Sequence, residues 1–175
     1  TIPMLPEVLS NNICSLRPHE ESLCFSVIFE FDSDANVKDY RFAKTVIYSD
    51  HRFSYEDAQE VIDSEKGLYA EELKTMNLIA SKLRKKKYEN GAINFETTEF
   101  RFTLDKNGKP IAVIPKVRKD AHKMIEEYML LANKYVARQL YVDNNKMPIP
   151  YRVHEEPSPE KLGAFLHQNC LTTPV

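Results

Sequence analysis

Lys119-Asp120-Ala121-His122-Lys123-Met124-Ile125-Glu126-Glu127-Tyr128-Met129-Leu130-Leu131-Ala132-Asn133-Lys134-Tyr135-Val136-Ala137-Arg138-Gln139-Leu140 is the stretch that decides the fold. At about 100° per residue, Ala121, Met124, Ile125, Tyr128, Met129, Leu131, Ala132, Tyr135 and Val136 fill one broad apolar arc. Lys123, Glu127, Lys134 and Arg138 form a charged stripe far from its centre. The pattern predicts one long helix packed on a core, with the stripe in solvent. Between the arcs runs a narrower line, His122, Glu126 and Asn133. It reads either as the boundary of the buried face or as a polar edge facing a ligand.

Upstream of this helix, Phe100, Phe102 and Leu104 alternate before Asp105-Lys106-Asn107-Gly108, and residues 111–114 resume the alternation, which predicts a hairpin. Residues 68–88 place Tyr69, Leu73, Met76, Ala80 and Leu83 at helical spacing and finish in Lys82, Arg84, Lys85, Lys86 and Lys87. Cations favour a helix C-terminus for the helix's own sake; attraction to an RNA backbone is the alternative. Phe53-Ser54-Tyr55-Glu56-Asp57 predicts a helix start, with Ser54 as cap, Asp57 reciprocating and Phe53 stapled onto Ala58. Tyr55 then points into the core or onto a groove. Strands over 23–31 and 37–48, joined at Asp32-Ser33-Asp34-Ala35-Asn36, predict a first antiparallel hairpin, and residues 160–167 a last short helix after a proline. The class is α+β: antiparallel hairpins packed with several helices, one of them long, in a single domain over 1–175.

With 175 residues, 42% hydrophobic and 29% charged, the chain is expected to bury a sizeable core. A net charge of -2 gives no general basic surface for nucleic acid, so an acidic ligand would need local patches. The apolar runs are too short for a bilayer and no basic-then-hydrophobic leader opens the chain, so a cytoplasmic protein is expected. Both ends read as cut, which suggests a domain fragment. Cys14, Cys24 and Cys170 lack the number and spacing for a disulfide framework or a zinc site, and the first two are expected as buried thiols. No phosphate loop, serine elbow or histidine–glutamate zinc helix is present. Arg17 reads as a phosphate ligand or as the neutraliser of a nearby carboxylate. Phe95 reads as a core anchor or an aromatic platform.

Five motifs follow one another along the chain: Met4-Leu5-Pro6-Glu7-x-Leu9-Ser10-Asn11-x-x-Cys14-Ser15-Leu16-Arg17, Phe53-Ser54-Tyr55-x-x-Ala58-Gln59, Gly91-Ala92-Ile93-x-Phe95, Ala121-His122-x-Met124-Ile125-Glu126-Glu127-x-Met129-Leu130-x-Ala132-Asn133, and Tyr151-Arg152-Val153-His154-x-x-Pro157. In this order they resemble the central part of the catalytic (RNB) domain of the ribonuclease II and ribonuclease R family, in its bacterial ribonuclease R branch. The resemblance implies a parent enzyme that degrades single-stranded RNA processively from 3' to 5', releasing nucleoside 5'-monophosphates with Mg2+. It matches Phe95 to an aromatic that stacks on the terminal base and Tyr55 to an aromatic beside the RNA channel. Glu126 matches a carboxylate near the bound nucleotides and Asn133 a residue lining that site; Arg17 is kept among the expected RNA contacts on its own phosphate reading. The metal-holding aspartates, the catalytic arginine of a Ser-Pro-Ile-Arg segment, and the cold-shock and S1 domains would lie outside these residues. By this reading the chain alone holds no catalytic residue and no metal. A non-catalytic RNA-binding module and a structural or interaction domain are the alternatives.

Overall fold

The computed structural model describes residues 4–93, 100–115, 117–143, 147–150, 152–153, 155–156 and 158–168. It divides into two compact units, Thr1–Tyr135 and Val136–Val175, with the division falling inside the long helix. The first unit opens with a wide π-type turn over Leu9–Ile13 and continues with strands β1 (Glu21–Phe31) and β2 (Val37–Tyr48). Helices α1 (Tyr55–Ser64) and α2 (Ala70–Glu89), strands β3 (Phe100–Leu104) and β4 (Pro110–Pro115), and helix α3 (Asp120–Arg138) complete the order. In the second unit, a wide turn over Gln139–Asp143 closes the end of α3, and helix α4 covers Pro159–Gln168. The α+β class holds, with each sheet a two-stranded antiparallel hairpin. Arg152 and Val153 carry no regular structure.

Both hairpin turns use one device, and the sequence explains it. Asp32 Oδ1 accepts from the amides of Asp34 and Asn36, and Asp105 Oδ1 accepts from those of Asn107 and Lys109, at 2.8 to 2.9 Å. Each turn then needs a left-handed residue three places after its aspartate; Gly108 supplies it at φ 79° and Ala35 at φ 56°. The side-chain and backbone bonds from Asn36 hold the Asp32 carboxyl below its ordinary value of 3.8. Since the folded value is depressed, the turn's contribution is complete above 3.8 and lost as pH falls through the lowered value. The amides of Asp34 and Asn36 are therefore expected to keep their exchange protection down to the ordinary carboxylate range and lose it below. Asp32→Ala should show the unprotected turn already at neutral pH; equal protection in both proteins at neutral pH would refute the role.

Helix α1 starts as its sequence requires. Ser54 Oγ accepts from the Asp57 amide at 3.1 Å and donates to Asp57 Oδ2 at 2.7 Å, so the reciprocation runs through the hydroxyl. Glu65, left-handed at φ 54°, ends the helix. Helix α2 stops at Asn90 and Gly91, the latter at φ 90°, a conformation glycine adopts without strain.

The core is smaller than the length suggests. Among the described residues the buried hydrophobics are Ala35, Ala58, Leu73, Ala80, Ala121 and Met124. Leu73, Ala80 and Met124 form its centre, where α2 and α3 meet, with Phe53, Val61, Ile62, Ile125 and Tyr128 packed around them. Two expectations fail here. Glu127, placed by periodicity on the solvent stripe, is buried. Cys14, expected inside, is exposed, and Cys24 is half-buried. Cys14 follows a turn that buries none of its residues, so there is no apolar face for the thiol to join.

Candidate nucleic-acid interface

Tyr55 and Gln59 stand one turn apart on α1 and meet the first turn of α3 at neighbouring residues. Gln59, only 5% exposed, accepts from the Ala121 amide through Oε1 at 2.9 Å. Its Nε2 donates to Asp63 Oδ1 at 2.7 Å. A helix start leaves its first amides without internal partners, and Gln59 satisfies one of them across the interface. Beside it the rings of Tyr55 and His122 stack, centroids 4.2 Å apart and planes 9° from parallel. Tyr55 remains 45% exposed. His122 Nδ1 is buried and finds no hydrogen-bond partner among the described residues.

Next to this stack, a cavity of about 530 Å³ opens between α1, α2 and α3, lined among others by Phe53, Tyr55, Tyr69, Leu73, Met76 and Ile125. Its walls are mostly apolar, with Ser54 and Glu72 also lining it. Tyr128 sits beside it with its hydroxyl donating to the Met76 carbonyl at 2.9 Å, and burial raises that phenol above its ordinary value.

Further along α3, Glu126 and Glu127 share Lys87 from the end of α2. The Lys87 ammonium pairs closely with Glu127 and lies 3.9 Å from Glu126, which is also held by Arg118. The line therefore carries two positive and two negative groups in contact.

The basic end of α2 is engaged inside the molecule. Lys82 donates to the Ser33 carbonyl, while Lys86 donates to the Asp34 carbonyl and Asn36 Oδ1, tying α2 to the β1–β2 turn. Lys85 lies 3.9 Å from Glu89, and the Arg84 guanidinium sits 5.8 Å from the centroid of the Tyr88 ring. Docking of the hairpin on the helix accounts for Lys82 and Lys86, while Lys85 and Arg84 contact residues of α2 itself.

Of the residues singled out from sequence, Tyr55 and Glu126 lie on α1 and α3, the two helices that meet here, and Asn133 is exposed further along α3. Arg17 is exposed ahead of β1 and pairs with Glu20, the carboxylate-neutralising alternative. Phe95 lies outside the described residues. Sequence reasoning missed Gln59 and Lys87. Gln59 was visible only as the last letter of a motif, and Lys87 only as one cation in a run of them. Among the described residues no three His, Cys, Asp or Glu side chains group where a metal ion could sit, and no helix is long and apolar enough to cross a membrane.

The family model for the RNB domain matches residues 1–173. Ribonuclease R of Aquifex aeolicus is 38% identical over a match of 169 residues that covers 93% of this chain and 24% of that protein. Mycoplasma genitalium RNase R in complex with ribose methylated single-stranded RNA superposes with a TM-score of 0.84 at 30% identity, over 99% of this chain and 28% of that one. The same enzyme in complex with double-stranded RNA gives 0.83 at 31% identity, over 95% and 30%. The chain thus spans about a quarter of the length of the relatives it matches.

Proposed function

Since this chain belongs to the RNB domain family, we propose that it forms part of the RNA channel of a processive 3'-to-5' exoribonuclease that shortens single-stranded RNA to nucleoside 5'-monophosphates. The observation that carries this reading is the Tyr55 ring, stacked on one face by His122 yet 45% exposed at the rim of an apolar cavity. A supported aromatic suits RNA because every base offers a π face, so stacking holds the strand without reading its sequence. Glu126, fixed by Arg118 and Lys87, offers a carboxylate that accepts hydrogen bonds and repels phosphate, which fits sugar hydroxyls or base edges. Asn133 extends the polar line of α3, and Phe95 stacks on the terminal base. Arg17, paired with Glu20, is the least committed of these contacts.

Mg2+ would supply the activation of water and the stabilisation of phosphate charge. The described residues do not fit such a centre, because they offer no carboxylate group converging on an ion. We assign hydrolysis to none of the described residues. Its part in the reaction is to hold and align the strand.

The test is Phe95→Ala in the complete polypeptide. Loss of one stacked base should weaken binding of single-stranded RNA by about 1 to 3 kcal/mol and leave the unfolding temperature unchanged. Fluorescence anisotropy with a labelled oligonucleotide and thermal unfolding measure the two. A large drop in unfolding temperature with unaltered affinity would instead assign Phe95 to the core.

A further inference from the structure

The geometry points to His122 as a positioning residue that fixes Tyr55 as a rigid platform for the bases of single-stranded RNA. This rests on the reading of Tyr55 as a residue of the RNA channel.

A tyrosine in the first turn of a helix, 45% exposed, would ordinarily exchange rotamers, and freezing it on binding would cost affinity. The His122 ring removes that freedom beforehand, lying 4.2 Å away and 9° from parallel. The alignment is set at two adjacent points. One turn after Tyr55, Gln59 grips the amide of Ala121, the residue directly before His122, at 2.9 Å. The first turns of α1 and α3 are thereby locked together where the two rings face each other. What the site uses is a flat aromatic face behind Tyr55.

The experiment is a double-mutant cycle in the complete polypeptide, read as the Kd for a labelled oligoadenylate without divalent metal. His122→Ala is expected to raise Kd about two- to tenfold, the range spanned by one aromatic pair. In the Tyr55→Ala background the same change should leave Kd within about twofold, because the residue acts through the ring already removed. His122→Phe keeps the stack and should bind like the parent protein, whereas His122→Gln keeps polarity without the ring and should bind like His122→Ala. These two variants decide the matter even if the alanine protein fails to fold. A full loss from His122→Ala in the Tyr55→Ala background, or tighter binding by the glutamine than the phenylalanine variant, would overturn the positioning role. If Tyr55→Ala itself leaves Kd unchanged while Phe95→Ala raises it, the channel reading of Tyr55 fails, and this inference with it.

Discussion

Replacing Lys87 with alanine is expected to destabilise the Thr1–Tyr135 unit by about 1 to 3 kcal/mol, the cost of leaving a buried acceptor without its partner, and less than for a fully buried pair because the Lys87 side chain is 29% exposed. Glu127 is 5% exposed on the inner side of α3, and the Lys87 ammonium is its counter-charge. Without it a desolvated carboxylate is left between α2 and α3 without its ion-pair partner. Lys85, two residues earlier on the same helix, provides the control. Its partner Glu89 is 3.9 Å away with both side chains in solvent, so Lys85→Ala should change stability by no more than about 0.5 kcal/mol. Lys87→Met combined with Glu127→Leu should recover most of the loss, since an apolar pair of similar volume needs no desolvation. Hydrogen exchange at the amides of α2 and α3 reads the local opening free energy directly. Equal losses for Lys85→Ala and Lys87→Ala would mean that water reaches Glu127 and that the pair is a surface contact.

Local chemistry was legible in the sequence wherever a single segment contains all the parties. The bounds of β2, Val37–Tyr48, follow from its run of aromatic and branched residues and from the Asp32 turn, and α1 begins where Ser54 can cap. β1 extends two residues beyond its alternating run because Glu21 still has Tyr48 to pair with, a fact about the opposite strand. The failures are likewise facts about neighbours. Helical periodicity gives angles around α3 but not the side from which α2 approaches. The buried row proves to be Ala121, Met124 and Glu127, spaced by three residues and turned toward one edge of the apolar arc. At the other edge Met129 and Val136 are exposed.

The candidate site divides in the same way. Tyr55, Glu126 and Asn133 were named through the resemblance, and the polar line on α3 was visible as a departure from amphipathic order. What supports Tyr55 comes from the other end of the sequence interval: the amide of Ala121 and His122 lie more than sixty residues from Gln59 and Tyr55, and only the packing of α1 on α3 brings them there. Gln59 carries no sign of its role in composition or spacing. An amide on a short helix is as readily a solvent residue as a cap for another helix.

Met124→Ala is expected to destabilise the α2–α3 core by about 2 to 4 kcal/mol, against no more than about 0.5 kcal/mol for Met129→Ala. The two methionines share the apolar arc of the sequence, yet Met124 is 3% exposed and Met129 61%. Met124 packs with Leu73 and Ala80 at the centre of the cluster and also lines the cavity of about 530 Å³. Truncating it therefore enlarges an opening already present. Leu73 and Ala80 lose their contacts on that side, and the void communicates with the groove instead of closing by collapse. Met124→Leu keeps most of the volume and should cost less than about 1.5 kcal/mol. Exchange protection of the α3 amides in the three variants is the measurement. If Met129→Ala cost as much as Met124→Ala, α3 would be turned as its apolar arc alone implies, with Glu127 back in solvent, and the buried pairing with Lys87 would fall with it.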